Sequence, residues 1–308
     1  MTNIPILVLG AGELGMAVLR NLARHVALHP GTSLTVLLRP STITSEAPDK
    51  QRDIAELRSL GIEILPGDLV AGSAADLSVL LRDFHTVIGC TGFVAGSSIQ
   101  LKLAQAVLNA GVKRYFPWQF GVDYDVIGKG SAQDLFDEQL DVRNLLRSQD
   151  HMEWVIISTG MFTSFLFEPS FGVVDLARNT VHALGSWDTA VTVTTPEDIG
   201  ALTAEIVFAE ARIVNRIVYT AGDTITYARL ADLVDSVLGL KVQRVEWSLA
   251  RLRDDLEKDP NNPIKKYRVV FAEGKGVSWP LDKTFNARRG IEVWDVERWA
   301  RSNLRIRE

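Results

Sequence analysis

Three observations predict an α/β fold, a doubly wound parallel sheet followed by a smaller C-terminal domain. Short, near-continuous apolar runs recur through the first half of the chain, patterns of helical period lie between them, and a glycine motif stands at the first strand-to-helix turn. Apolar runs without alternation suit strands buried on both faces, as in a parallel sheet. They fall at 4–9 (IPILVL), 34–38 (LTVLL), 62–65, 86–90 (TVIGC), 112–116 and 154–159 (WVIIST). The intervening patterns predict helices, among them 15–28 and a segment carrying Leu101, Ala104, Ala106 and Leu108 that stops at Gly111. Strand, helix and strand at this spacing define βαβ units.

After about residue 160 the rhythm changes. The stretch 162–171 (FTSFLFEPSF) holds four phenylalanines without a strict period. At 194–198 (TTPED) a helix start is expected, with Thr195 as cap, Pro196 at the first position and acids following. The stretch 251–263 (RLRDDLEKDPNNP) reads as a charged helix broken at two prolines, of a kind suited to a lid. The expected division is 1–160 and 161–308, with helix 196–210 and strand 216–220 able to pack on the first domain.

Composition narrows the classes. The 308 residues carry 33 Lys and Arg against 38 Asp and Glu, a net charge of −5, with no basic tract for nucleic acid. A single cysteine, Cys90, excludes an internal disulfide and a cysteine-based zinc site, and its apolar run marks it as an inert buried thiol. No apolar run approaches the roughly 20 residues that span a bilayer. The first run, 4–9, lacks a basic n-region and leads straight into glycines, so no signal peptide is expected. These features predict a soluble, cytoplasmic protein without membrane or nucleic-acid partners; a homodimer is compatible with them.

Gly10-Ala11-Gly12-Glu13-Leu14-Gly15 is G-x-G-x-x-G, following a strand and opening a helix. Its first glycine permits the tight turn, its second lets the backbone approach a pyrophosphate, and its third lets helix and strand pack closely. The helix N-terminus offers N–H groups to the phosphates, and Glu13 and Leu14, within the motif, count among the expected cofactor-binding residues. This is the Rossmann-type arrangement. The second strand ends in Arg39, where an NAD-selective site usually carries an acid about 20 residues past the motif. A guanidinium fork matches a 2′-phosphate, so NADPH is the expected cofactor. Ser41 and Thr42 add hydroxyls there, and Lys50 or Arg52 is placed to close over the phosphate. Strand four runs out into Thr91-Gly92-Phe93 at the carboxyl edge of the sheet, where ligands of open α/β sheets sit.

The chain resembles the NmrA-like and isoflavone-reductase-like branch of the atypical short-chain dehydrogenases. Besides the glycine motif and Arg39, the matching residues are Leu65-Pro66-Gly67-Asp68, Gln100 opening a helix that ends Asn109-Ala110-Gly111, and the run from Val112 to Gly121 (VKRYFPWQFG). The family pattern for that run is V-K-R-F-x-P-S-E-F-G, and the likeness covers about 4–220. The resemblance implies an NADP(H)-binding domain and a smaller substrate domain. It also implies hydride transfer to small aromatic or conjugated metabolites, and a cofactor site that includes Gln100, Trp118, Gln119 and Phe120, with Phe120 beside the nicotinamide.

Two departures bear on the chemistry. A family pattern like F-E-V-K-A-K-V-R meets Phe136-Asp137-Glu138-Gln139-Leu140-Asp141-Val142-Arg143 here, so the catalytic lysine position holds Gln139. The family's Ser-Glu pair is Trp118-Gln119. Leu135, Gln139, Val142 and Leu146 form one helical stripe, which places a polar residue on an apolar face. Gln139 is either an amide that bonds a substrate carbonyl or the nicotinamide ribose, or a satisfied structural glutamine. An amide is no general acid near neutral pH, so a proton must come from elsewhere. Candidates for that proton are Asp123-Tyr124-Asp125 and Lys129 in the loop that follows, with Tyr124 able to donate if a cation lowers its pKa. The competing reading makes Asp123 and Asp125 loop carboxylates and Tyr124 a surface-packing aromatic. The acids Asp134, Asp137, Glu138 and Asp141 are expected to favour their own helix N-terminus, with Arg143 and Arg147 complementing its C-terminal end.

Aromatic density follows strands five and six: Trp118, Phe120, Met161, Phe162, Phe165 and Phe167. Such a group forms either an apolar ligand chamber or a domain core. The leading expectation is an NADPH-dependent reductase of a conjugated C=C, C=O or C=N bond in a small apolar or aromatic secondary metabolite. The alternative is a non-catalytic dinucleotide sensor that binds a protein partner, and redox-neutral chemistry with a held cofactor is a third.

Overall fold

The computed structural model describes residues 4–92, 96 and 98–304. The chain forms two compact units. The first comprises Met1–Gln119, Glu138–Ile157 and Ile199–Val218, and the second comprises Phe120–Asp137, Ser158–Asp198 and Tyr219–Glu308. A single cut near residue 160 is therefore replaced by an interleaved path. Phe120–Asp137 joins the second unit because that unit holds its backbone. The N–H groups of Thr159 and Gly160 both donate to the Gly121 carbonyl at 3.0 Å, and Asp123 N–H donates to the Gly276 carbonyl at 2.7 Å.

The first unit is built on a seven-stranded sheet. Its strands are β1 (Ile4–Leu9), β2 (Thr32–Leu38), β3 (Glu63–Pro66), β4 (Thr86–Gly89), β5 (Arg114–Phe116), β6 (Glu153–Ser158) and an edge strand, Arg216–Tyr219. Their order is Arg216–Tyr219, β6, β5, β4, β1, β2, β3. Every pairing from β3 across to β6 is parallel. The chain winds outward from β1 to β3, then returns to lay β4 on the other side of β1. That reversal creates the crevice at which open α/β sheets bind ligands.

The connecting helices are α1 (Glu13–Val26), α2 (Pro40–Ile43), α3 (Pro48–Ser59), α4 (Ala74–Leu81) and α5 (Ile99–Asn109). Then come α6 (Tyr124–Ile127), α7 (Leu135–Arg147) and α8 (Pro196–Val207). Helix α1 starts two residues before the apolar pattern does, because Gly12 takes the N-cap position. The expected cap of α8 forms as Thr195 Oγ1 accepts from Asp198 N–H at 3.1 Å. On the core side, Leu7, Leu9, Leu103, Val107, Tyr115, Val142, Leu146 and Ile156 pack into one buried cluster. Val142 and Leu146 are fully buried, each stabilising the fold by about 1.5–3 kcal/mol. They fix the face that α7 turns toward the sheet, and with it the position of Gln139 on the same stripe.

The second unit holds two three-stranded sheets. One orders Asp223–Thr226, Ala190–Thr194 and Met161–Phe162, and the other Gln243–Trp247, Thr180–Leu184 and Val174–Asp175. The segment expected to be one broken helix is two: Leu249–Glu257 ends before Pro260, and Pro263 opens the next helix instead of breaking the first. Asn262 caps that second helix, its side chain accepting from Ile264 and Lys265 N–H groups, which orders the turn. Among the described residues no helix is long and apolar enough to cross a membrane, and no cluster of His, Cys, Asp and Glu has the makings of a metal site.

Candidate active site

The carboxyl edge of the first unit's sheet gathers the glycine turn of β1, Arg39 after β2, Thr91-Gly92 after β4 and Trp118-Gln119 after β5. Gly10 sits at φ +98°, a region that favours glycine, and its N–H donates to the Leu37 carbonyl at 3.2 Å. A Cβ on Gly10 would lie 2.9 Å from Thr91 Oγ1, and one on Gly15 would overlap the Gly10 carbonyl oxygen. Both are close-packing glycines. Gly12 differs, because a Cβ there would meet no heavy atom within 4 Å. As the N-cap of α1 it supplies no side-chain acceptor to the first N–H groups of the helix. Open space at the second glycine of such a turn is what a close approach of pyrophosphate to the backbone requires. Glu13 is exposed while Leu14 is buried, so this first turn has its main chain to offer an anion.

On the β2 side, Arg39 is exposed and caps the four-residue helix α2, with Ser41 exposed in the same turn. Arg39 makes no ion pair in contact range among the described residues, and its field reaches Asp68 after β3. The Ala71 and Val70 N–H groups hold the Asp68 carboxyl below its usual range, with Arg39 and Lys102 adding to the effect. Lys50 lies on α3 between Asp49 at 3.7 Å and Asp53 at 3.6 Å, so the structure gives it carboxylate neighbours of its own rather than joining it to Arg39.

On the β4 and β5 side, Thr91 Oγ1 donates to the Leu9 carbonyl at 2.9 Å and ties the two turns together. Gln100 is buried; its Nε2 donates to the Thr91 carbonyl at 2.6 Å, and its Oε1 has no hydrogen-bond partner. The Trp118 indole lies over Gly92, where a Cβ would come within 3.0 Å of Cζ2. Phe93 lies outside the described residues. Burial pushes the Cys90 thiol far up, so it stays protonated, in keeping with the inert role expected of it.

Behind β5 lies a buried polar chain. Arg143 Nε donates to Gln119 Oε1 at 2.8 Å, and Gln119 Nε2 donates to the Gln139 main-chain carbonyl at 2.8 Å. All three residues are fully buried. The Gln139 side chain is different, since neither Oε1 nor Nε2 has a hydrogen-bond partner. Of the two readings, the satisfied structural glutamine is therefore not what the structure holds. Arg143 is likewise no solvated complement to the end of α7, because it is fully buried and bonded to Gln119. Glu138 does not serve its own helix N-terminus either. Its carboxylate accepts from Ser98 N–H at 2.8 Å and Leu101 N–H at 3.0 Å, capping α5. The sequence pattern carried no sign of the Glu138 cap.

Within the second unit, Phe120 and Tyr124 are both buried. A Cβ on Gly121 would lie 2.6 Å from the Tyr124 hydroxyl, so that hydroxyl folds back on the Gly121 main chain. The Tyr124 ring meets Phe136 edge-on at 5.0 Å, which makes it a buried aromatic and not a surface one. Asp123 caps α6 and accepts from the Tyr219 hydroxyl at 2.6 Å. Phe165 packs on Phe171 at 4.6 Å and on Tyr267 at 6.3 Å, while Phe167 stacks on Trp299 at 4.8 Å. Tyr267 also meets Phe136 edge-on at 5.8 Å, and burial pushes its phenol up to about 12. It went unnoticed in sequence, although Ile264, Tyr267 and Phe271 mark the apolar stripe of its helix.

The parallel sheet, its switch point and the open glycine turn define a Rossmann-type nucleotide-binding protein. A model of the NmrA-like family matches residues 2–296, and the chain belongs to that family. An NmrA-like family domain-containing oxidoreductase of Gibberella moniliformis is 50% identical over 289 residues, 94% of each chain. Phenylcoumaran benzylic ether reductase 1 of Arabidopsis thaliana is 27% identical over 297 residues, 93% of this chain and 91% of the plant protein. The solved structure of AtPrR2 with NADP+ and (+)-pinoresinol superposes with a TM-score of 0.76 at 18% identity, covering 98% of this chain and 99% of that one. These relatives are named as oxidoreductases and reductases, and the chain matches each of them along nearly its whole length.

Proposed function

We propose that this protein is an NADPH-dependent reductase of a conjugated C=C, C=O or C=N bond in a small apolar or aromatic metabolite. The observation that carries the reading is the open glycine turn at Gly12 with Arg39, and no acid, at the end of the next strand. The residues fit NADPH. The N–H groups at the start of α1 hold the pyrophosphate, Gly12 leaves it room, and Arg39 with Ser41 takes the 2′-phosphate. Thr91 and Gly92, held by Gln100, and Trp118 with Gln119 bound the nicotinamide side. When bound, the dinucleotide supplies the hydride.

Reduction also consumes one proton, which Gln139 cannot provide near neutral pH. In the sequence, Phe120–Gly121 follow Gln119 directly and Tyr124 comes shortly after. On that ground we assign Phe120 to contact with the substrate and Tyr124 to proton donation. The relative solved with NADP+ and (+)-pinoresinol supports both the cofactor and a bulky organic substrate.

The test is NADPH consumption by the purified protein with a panel of enones, quinones, imines and aryl benzylic ethers. Substrate-dependent oxidation, slowed at least tenfold by Phe120→Ala with NADPH affinity unchanged, is the expected result. NADPH binding without turnover on any member would overturn the reductase and leave the dinucleotide sensor.

A further inference from the structure

Gln139 carries an unusual debt for a buried residue. Each unpaired buried donor or acceptor costs on the order of 1–3 kcal/mol. Gln139 leaves both ends of its amide unpaired at zero exposure, on a helix whose position is fixed by Val142 and Leu146. An apolar residue of the same shape would fold more stably there, so a hydrogen-bonding ligand is the natural counterpart.

The sheet order says which part of a ligand comes near. Resting on the reading of an NADPH site, the pyrophosphate lies over the β1 turn and the 2′-phosphate over Arg39 after β2. The remaining half of the dinucleotide then runs the other way from β1, across β4 toward β5. With neighbouring strands about 4.8 Å apart, β2 to β5 spans about 14 Å. Gln119, at the end of β5, holds the Gln139 main chain at 2.8 Å, so Gln139 stands at the far end of that path.

We propose that the Gln139 side-chain amide recognises the nicotinamide half of the cofactor, donating one hydrogen bond to its carboxamide and accepting one from it. A substrate carbonyl offers only acceptors and would leave Gln139 Oε1 unpaired. A carboxamide offers a donor and an acceptor side by side, the complement of another amide. Gln139 thus positions the ring that gives up hydride without handling a proton.

The test needs no substrate. Dissociation constants are measured by calorimetry for NADP+, for its 3-acetylpyridine analogue, which has a methyl group in place of the carboxamide NH2, and for 2′,5′-ADP, which lacks the nicotinamide half. The wild type is expected to favour NADP+ over the analogue by about tenfold, the worth of one net hydrogen bond. Gln139→Met should bind the two equally, keep wild-type affinity for 2′,5′-ADP, and melt at or above the wild-type temperature when unliganded. Equal wild-type affinity for NADP+ and the analogue overturns the proposal, whether or not the variant folds. So does a preference that survives in Gln139→Met. A wild type that binds 2′,5′-ADP but prefers neither dinucleotide refutes only the Gln139 assignment; one that binds none of the three refutes the cofactor reading itself.

Discussion

The side-chain amide of Gln119 donates to the main-chain carbonyl of Gln139 at 2.8 Å, while its oxygen accepts from Arg143. One residue at the end of β5 thereby fixes both the backbone of α7 and the head of a buried arginine. Gln119→Leu would strand the Gln139 carbonyl and take one acceptor from Arg143, which has further interactions. We expect a loss of about 1–3 kcal/mol in unfolding free energy, measured by urea titration. An unchanged unfolding free energy would mean that Gln119 holds neither group.

Gly12 and Gly15 separate binding from folding. Gly12→Ala adds a Cβ to open space and should cost at most about 1 kcal/mol, the difference between glycine and alanine at an N-cap. Dinucleotide affinity should nevertheless fall by at least tenfold if, as proposed, that space receives the pyrophosphate. Gly15→Ala drives a Cβ into the Gly10 carbonyl and should cost about 1–3 kcal/mol through overpacking. Thermal melts and calorimetric titrations of the two variants give the comparison, and identical behaviour would contradict the division of roles.

Glu138 is a charged cap supplied by another helix. Glu138→Ala frees the Ser98 and Leu101 N–H groups and should destabilise the protein by about 1–2 kcal/mol, read from denaturant midpoints. Glu138→Gln, which keeps one acceptor, should recover part of the loss.

Two carboxylates of the second unit, Asp223 buried and Asp198 half-buried, set a pH dependence. Burial raises Asp198 and Asp223 above the usual range, outweighing the donors at each. Asp198 Oδ2 accepts from Trp294 N–H at 2.9 Å, and Asp223 Oδ1 from Arg229 at 3.3 Å. A raised folded value means the native state holds the proton more tightly. Their contribution to stability is full below the unfolded value of about 3.9 and is lost as pH rises through the folded values. Asp223→Asn removes its share, so the variant's melting temperature relative to wild type should climb between pH 4 and pH 7. A flat or falling difference would refute the sign.

The strands, the glycine turn and Arg39 were legible in the sequence because each depends on local pattern: apolar runs, a six-residue spacing and a strand end. The path of Phe120–Asp137 into the second unit was not, since it is set by Gly121 and Asp123 bonding residues 38 to 153 positions further on. The Glu138 cap joins residues 37 and 40 apart, a distance at which helix periodicity names a face but not its partner. Tyr267 was missed for a simpler reason: its stripe runs through lysines and an arginine that disguise a buried ring. Gln139 was found by period alone, but only the fold reveals that its amide has nothing to bond.

The central claim is that the site is built for a 2′-phosphorylated dinucleotide, and titration of wild type and Arg39→Glu with NADPH and NADH tests it most directly. Wild type should favour NADPH, and the variant should lose about 100-fold or more of that preference, the worth of charge-assisted bonds to phosphate. NADH affinity should change little. Equal affinity of the wild type for both dinucleotides, or an equal loss of both in the variant, would contradict the account.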